Sequence, residues 1–376
     1  MSQQFSATEA WARAAASPVS RWARSLQRLG QSPAAVRHAP KFKLTATDRF
    51  FCIGSCFARN IEEHLIYRGV PVLSKRLVSP AVEWPFRPNG LLNKFTTPSM
   101  LQELSWLEAP PPDPSLLFAP ESGAVVDLQL APSSKAVTPE RALERRRYLT
   151  GDYFARVSQA SVVVLTLGLN EVWRDEANDA WLNTSPPLPV ARAEPDRFTL
   201  TVTGVAENVA ALEGVRARLK AANPDLRLVV TVSPVPMNTT FSGADVLMAN
   251  TLSKSVLRAA AQTFVDAHPD VDYFPSYEMV MLGAPRKTFL ADRQHVADRV
   301  VARVIEAFLG AYYEEPLPAA EPGFYEMAYL IANPDIEERV RTGELESGFA
   351  HWIESGRAEG RPMRPDGDNE RLAIFG

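Results

Sequence analysis

The sequence predicts an α/β fold: a three-layer α/β/α sandwich on a mostly parallel sheet of about five strands, plus a small helical C-terminal module. Three observations predict it. Short apolar runs rich in β-branched residues recur, chief among them Ser161-Val162-Val163-Val164-Leu165-Thr166-Leu167 and Leu226-Arg227-Leu228-Val229-Val230-Thr231-Val232. Helix-length segments at 205–222 and 244–268 separate such runs. The best run does not alternate polar and apolar, so both faces of its strand are covered, as in a parallel sheet between helical layers.

Taken in order, residues 1–45 read as a helical arm. Ser17-Pro18 supplies an N-cap and first helical position, and Trp22, Leu26 and Leu29 then share one face near Arg21, Arg24 and Arg28. Such a stripe packs on its own domain or a partner, or lies on a membrane surface. The α/β domain spans 46–315. Arg49-Phe50-Phe51-Cys52-Ile53-Gly54 is a buried strand, and 55–68 a helix ended by Gly69. Val70-Pro71-Val72-Leu73 is an edge strand at best, because proline has no N–H for the ladder. Asn223-Pro224 and His268-Pro269 stop the two long helices. Val271-Asp272-Tyr273-Phe274 is a short strand, and 294–309 a closing helix. Proline-rich stretches at 107–120 and 183–198 are long loops, either lids or surface insertions. Residues 316–376 form the helical module.

Composition narrows the chemistry. The chain has 376 residues, with 46% hydrophobic and 22% charged, a globular balance. A net charge of -4 argues against a general nucleic-acid binder. Cys52 and Cys56 are the only cysteines, so no disulfide framework or cysteine zinc site is expected. No run approaches the ~18 apolar residues of a membrane span. No basic, then apolar, leader opens the chain, so the expected location is cytoplasmic.

In a parallel α/β sheet, ligands bind beyond the carboxyl ends of the strands. Ser55 follows the first strand and opens a helix, where backbone N–H groups favour a developing oxyanion. A serine hydroxyl needs an adjacent base. His295 is the candidate, with Asp292 to orient it. Gly168 permits close backbone approach, and the Asn170 amide can donate to an oxyanion. Each residue alone has a structural reading: a helix cap, a turn, a chance Asp-x-x-His. Cys56 competes as nucleophile if its thiol is acidic, and is otherwise a small buried residue. No metal-ligand spacing stands out, and no metal or other cofactor is expected.

Ile53-Gly54-Ser55-Cys56-Phe57-Ala58 resembles the name-giving motif of the GSCFA family, itself similar to a branch of the SGNH (GDSL-like) hydrolases. The likeness spans about 48–312 and includes Gly168-Leu169-Asn170-Glu171, Ser233-Pro234-Val235-Pro236 and Asp292-Arg293-Gln294-His295. It implies a Ser55–His295–Asp292 triad and an oxyanion hole from Ser55, Gly168, Asn170 and Gly90. Asn93 and Glu171 are candidate substrate contacts. Gly54 stands where the superfamily usually has an acid, and Glu171 where it has Asp. The tail, from Tyr329-Leu330-Ile331-Ala332-Asn333-Pro334 to His351-Trp352-Ile353-Glu354-Ser355-Gly356, is similar to a helical module found beside bacterial glycosyltransferases. The resemblances imply an esterase or O-acyltransferase acting on an acylated glycan or other acyl donor. They also imply docking to glycan-biosynthesis proteins through arm and tail. The alternative is a non-catalytic scaffold in surface-polysaccharide assembly.

Overall fold

The structure, a computed structural model, describes residues 4–109, 117–118 and 123–365. In chain order its main elements are helix α1 (Ala7–Ala16), strand β1 (Phe50–Gly54) and helices α2 (Cys56–Ile66), α3 (Thr97–Ser105) and α4 (Pro139–Tyr148). Strands β2 (Val162–Leu167), β3 (Glu171–Asp175), β4 (Ala180–Leu182) and β5 (Phe198–Val202) follow. Then come α5 (Val205–Ala222), β6 (Arg227–Val232), α6 (Val246–Ala267), β7 (Val271–Tyr273) and α7 (Asp298–Tyr312). Helices α8 (Glu326–Ala332), α9 (Pro334–Arg341) and α10 (Gly348–His351) complete the set.

The central sheet runs β1–β2–β6–β7, every pair parallel. Phe50 lies opposite Val162, and Val162 opposite Arg227. Val72 adds one parallel bridge beside Phe50, so the fifth strand shrinks to a single pairing. Pro71 explains the weakness, although its carbonyl still accepts from the Phe50 N–H at 2.9 Å.

Alternation along each strand divides the core. Phe51, Ile53, Val163, Leu165 and Val230 pack toward α5 and α6, against Leu212, Leu257 and Phe264. Phe50, Cys52, Val162, Val164 and Val229 face α2 and α7, against Phe57, Val304 and Phe308. Each fully buried Val, Leu or Phe contributes roughly 1.5–3 kcal/mol. Both faces are covered by helices, giving the mostly parallel three-layer α/β architecture that the sequence predicts.

Several elements differ from the sequence expectation. In the arm, the longer helix comes earlier: Ser6 and Glu9 form a capping box at its start and Ser17 closes it, while the expected segment after Ser17-Pro18 shrinks to the short helical turns Trp22–Arg24 and Leu26–Leu29. The closing helix begins at Asp298, because 289–297 is a loop tied by a Phe289–Val296 bridge. The stretch after β2 is a second, antiparallel sheet ordered β4–β3–β5. Helix α3 carries a Thr96 cap with Pro98 in its first turn, and α4 a Thr138 cap with Pro139. Most of the 107–120 loop and the tail beyond 365 lie outside the described residues.

Helices α8–α10 bury Phe324, Tyr329, Leu330 and Trp352 in a cluster that includes Tyr67 at the end of α2. Buried Arg341 donates to the carbonyls of Ser79, Trp84 and Phe86 at 3.1, 2.9 and 2.8 Å and pairs with Glu337. His351 is structural, bonded to Tyr329 Oη at 2.7 Å and Ser355 Oγ at 3.2 Å.

Candidate active site

Strands β1, β2 and β6 end at one rim of the sheet, and the site is built there. Gly54 ends β1. A Cβ on it would lie 2.5 Å from the Thr166 carbonyl oxygen and 2.6 Å from Thr166 Cβ, so only glycine lets β1 approach β2 this closely. Ser55 then turns the chain into α2 as its N-cap. Its side chain makes no capping bond, which leaves the hydroxyl for other partners. Ser55 is buried and donates to Ser233 Oγ, just past β6, at 2.9 Å.

Beside Ser55 lies a cavity of about 410 Å³, and His295 forms part of its wall. The imidazole is held from behind. Its Nδ1 is 2.6 Å from Asp292 Oδ2, while Asp292 Oδ1 accepts the Gln294 and His295 N–H groups at 2.9 and 3.0 Å. These bonds, the imidazole contact first, hold the Asp292 carboxyl down at about 2. The carboxylate fixes the ring so that Nε2 is the nitrogen left for chemistry. Ser55 and His295 thus share the cavity, yet the resting hydroxyl bonds to Ser233 and not to the imidazole.

The other expected residues are placed as follows. The Asn170 amide donates to the Thr203 carbonyl at 2.9 Å, and Asn170 does not line the cavity. Its role here is to tie β3 to the end of β5. Gly168 lines the cavity, but its N–H donates to the Phe95 carbonyl at 3.1 Å, and the close approach it permits is to Phe95. Gly90 faces a neighbouring cavity of about 260 Å³, its N–H taken by Arg87. Asn93 lines both cavities. Its Oδ1 is buried without a partner, and no hydrogen bond among the described residues engages its side chain. Glu171 lines the cavity while accepting from Thr240 Oγ1 and, at 2.8 Å, the Phe241 N–H, so it braces the rim loop.

Two features had no sequence signal. Lys254 on α6 is buried and donates to the carbonyls of Gly168 at 2.7 Å and Val235 at 2.8 Å, joining the loops after β2 and β6. Burial without a carboxylate pulls its ammonium down to about 7. Trp173 and Phe241 meet edge to face at 5.3 Å in the cavity wall. Cys56 also lines the cavity, and burial pushes its thiol up, away from the thiolate a nucleophile needs. Among the described residues no three His, Cys, Asp or Glu side chains gather as a metal site.

Residues 49–308 match the family model described as the GSCFA family. The chain belongs to the GSCFA family. The motif that names the family, Gly54-Ser55-Cys56-Phe57-Ala58, is here the strand-to-helix turn that presents the Ser55 hydroxyl. This GSCFA chain is also similar to a Clostridium thermocellum family 3 carbohydrate esterase, at 10% identity and a TM-score of 0.30. That similarity covers 70% of this chain and 94% of the other. A second similarity is to an acetyl xylan esterase, Est2A, of the rumen bacterium Butyrivibrio proteoclasticus, at 11% identity and a TM-score of 0.30, covering 71% and 64%. No curated protein matches.

Proposed function

We propose that this GSCFA-family chain is a serine ester hydrolase or O-acyltransferase acting on an acylated glycan or glycan precursor. One observation carries the reading. An Asp292–His295 couple is already assembled on the wall of the cavity that holds an uncapped, strand-end serine. Ser55 Oγ attacks the acyl carbonyl carbon and gives its proton to His295 Nε2. The tetrahedral oxyanion takes hydrogen bonds from the Asn93 amide and the N–H groups at the start of α2. His295 returns the proton to the leaving sugar oxygen as the acyl–Ser55 bond remains. Water, or a second hydroxyl, then repeats the sequence in reverse with His295 as base. Asp292 keeps the imidazole in the productive tautomer and stabilises the imidazolium. The neutral amide and hydroxyl walls from Thr184, Asn238 and Thr239, with the Trp173–Phe241 pair, suit a sugar face better than a charged one.

The second reading, a non-catalytic binding module, is favoured by the Ser55–Ser233 bond. A serine-directed fluorophosphonate separates the two. Stoichiometric labelling, lost in Ser55→Ala and kept in Cys56→Ala, is the expected outcome. Ser55→Ala should also lower turnover of short-chain acyl esters by at least about a thousandfold. No labelling of the folded wild-type protein, or labelling at Cys56, rejects the serine mechanism. Weighing the products formed with a sugar acceptor present divides hydrolysis from transfer.

A further inference from the structure

We infer that the N-terminal arm and the basic cavity beneath it form a docking surface for an anionic phospholipid bilayer. Among the described residues α1 buries none of its own side chains. Trp11, Trp22 and Leu26 are each at least 70% exposed, although the arm that carries them is anchored. Ala34 N–H donates to the Met279 carbonyl at 2.7 Å, Ala284 N–H to that of Gln31 at 3.0 Å, and Ser32 Oγ lies 2.8 Å from Thr288 Oγ1. The arm is therefore fixed to the body at 31–34 and presents unpartnered indoles and a leucine outward.

Charge decides the occupant. The arm bears Arg13, Arg21, Arg24 and Arg28 against one acid, Glu9, and Glu9 is spent capping α1 through Ser6. Where residues 30–35 meet the body lies an open cavity of about 620 Å³ whose far wall carries Lys287, Arg299 and Arg303. Arg299 and Arg303 donate to the carbonyls of Lys287 and Ser32, at 3.1 and 2.9 Å, and among the described residues none of the three cations meets a carboxylate. The acids of α7 nearby are engaged elsewhere: Asp298 lies 3.7 Å from His64, and Glu306 is paired with Arg68. In a chain of net charge -4, this is a local concentration of uncompensated positive charge where the tryptophan-bearing arm joins the body. A neutral protein partner would match the indoles and leave the cations unpaired. A bilayer surface matches both: indoles seat at the headgroup boundary, and phosphates meet the guanidinium groups. The inference does not depend on the ester chemistry.

The test is co-sedimentation of the full chain with vesicles of phosphatidylglycerol and phosphatidylcholine against vesicles of phosphatidylcholine alone. Wild type should bind the anionic vesicles at least about tenfold more tightly, and less so as salt rises. A Lys287→Gln, Arg299→Gln, Arg303→Gln triple variant should lose about a hundredfold, at near fivefold per charge. A Trp11→Ser, Trp22→Ser, Leu26→Ser variant should also bind weakly, with its thermal midpoint unchanged because these side chains are exposed. Equal binding to neutral vesicles, or none to either, overturns the inference. So does displacement by millimolar inorganic phosphate, which would mark a free-anion site. Preferential capture of a duplex oligonucleotide, or a dimer dispersed by the tryptophan variant, overturns it in favour of those occupants.

Discussion

At the scale of single residues, two asparagines show how position overrides type. Asn170 sits in the Gly-Leu-Asn-Glu block that the sequence marks for the oxyanion, but its amide is committed to Thr203. Asn93, which the resemblance offers only as a substrate contact, lines both cavities, and no hydrogen bond among the described residues engages its side chain. The two should separate cleanly on substitution. Asn93→Ala is expected to lower kcat for an acyl ester by about a hundredfold, the cost of one oxyanion donor, with little change in stability. Asn170→Ala should instead cost about 1–3 kcal/mol in urea unfolding, because it leaves the buried Thr203 carbonyl unpaired. A loss of kcat confined to Asn170→Ala would return the oxyanion role to that residue. The position of Ser55 at a strand-to-helix turn was legible, since it falls where an apolar run gives way to a helical one. Its resting bond to Ser233 was not, because contacts across 178 positions leave no local pattern.

At the scale of elements, α6 makes the loops after β2 and β6 into one unit through Lys254. The unfolded chain holds the Lys254 proton up to about 10.4, the ordinary lysine value. The folded chain releases it from about 7. Between those values the unfolded state binds more protons, so stability rises with pH. A neutral amine still has two N–H donors for its two carbonyls. Measured by urea unfolding against Lys254→Met, wild type should gain about 2 kcal/mol from pH 7 to pH 9. A difference constant across that range would mean the ammonium stays charged in the fold. The strands and helices of the parallel sheet were readable because burial on both faces removes polar alternation and proline or glycine ends each run. The antiparallel sheet β3–β5 leaves no such pattern. Phe198-Thr199-Leu200-Thr201-Val202 follows a proline-rich stretch and is largely exposed, so its pattern resembles a loop border. In the arm, Ser17-Pro18 leads only into the short helical turns Trp22–Arg24 and Leu26–Leu29, whereas Ser6 and Glu9 cap the longer helix that the sequence expectation lacks.

At the scale of the whole molecule, the C-terminal helices support the wall of the second cavity. Arg341 grips the carbonyls of Ser79, Trp84 and Phe86, the segment that leads to Arg87 and Gly90 in that wall. Arg341→Met strands three carbonyls and removes the buried ion pair with Glu337, and should cost roughly 3–5 kcal/mol in chemical denaturation. The full chain is expected to unfold in one transition, with intrinsic fluorescence and circular dichroism coincident. Two separated transitions would show the tail to be energetically independent. The family match stops at residue 308, yet Glu326 lies 3.6 Å from Lys75, and Tyr67 Oη bonds to its N–H. An expression clone trimmed to the homologous region would therefore bare Lys75, Tyr67 and a raft of aromatic rings to solvent, and insoluble product from such a clone would reflect missing lining, not a failed enzyme.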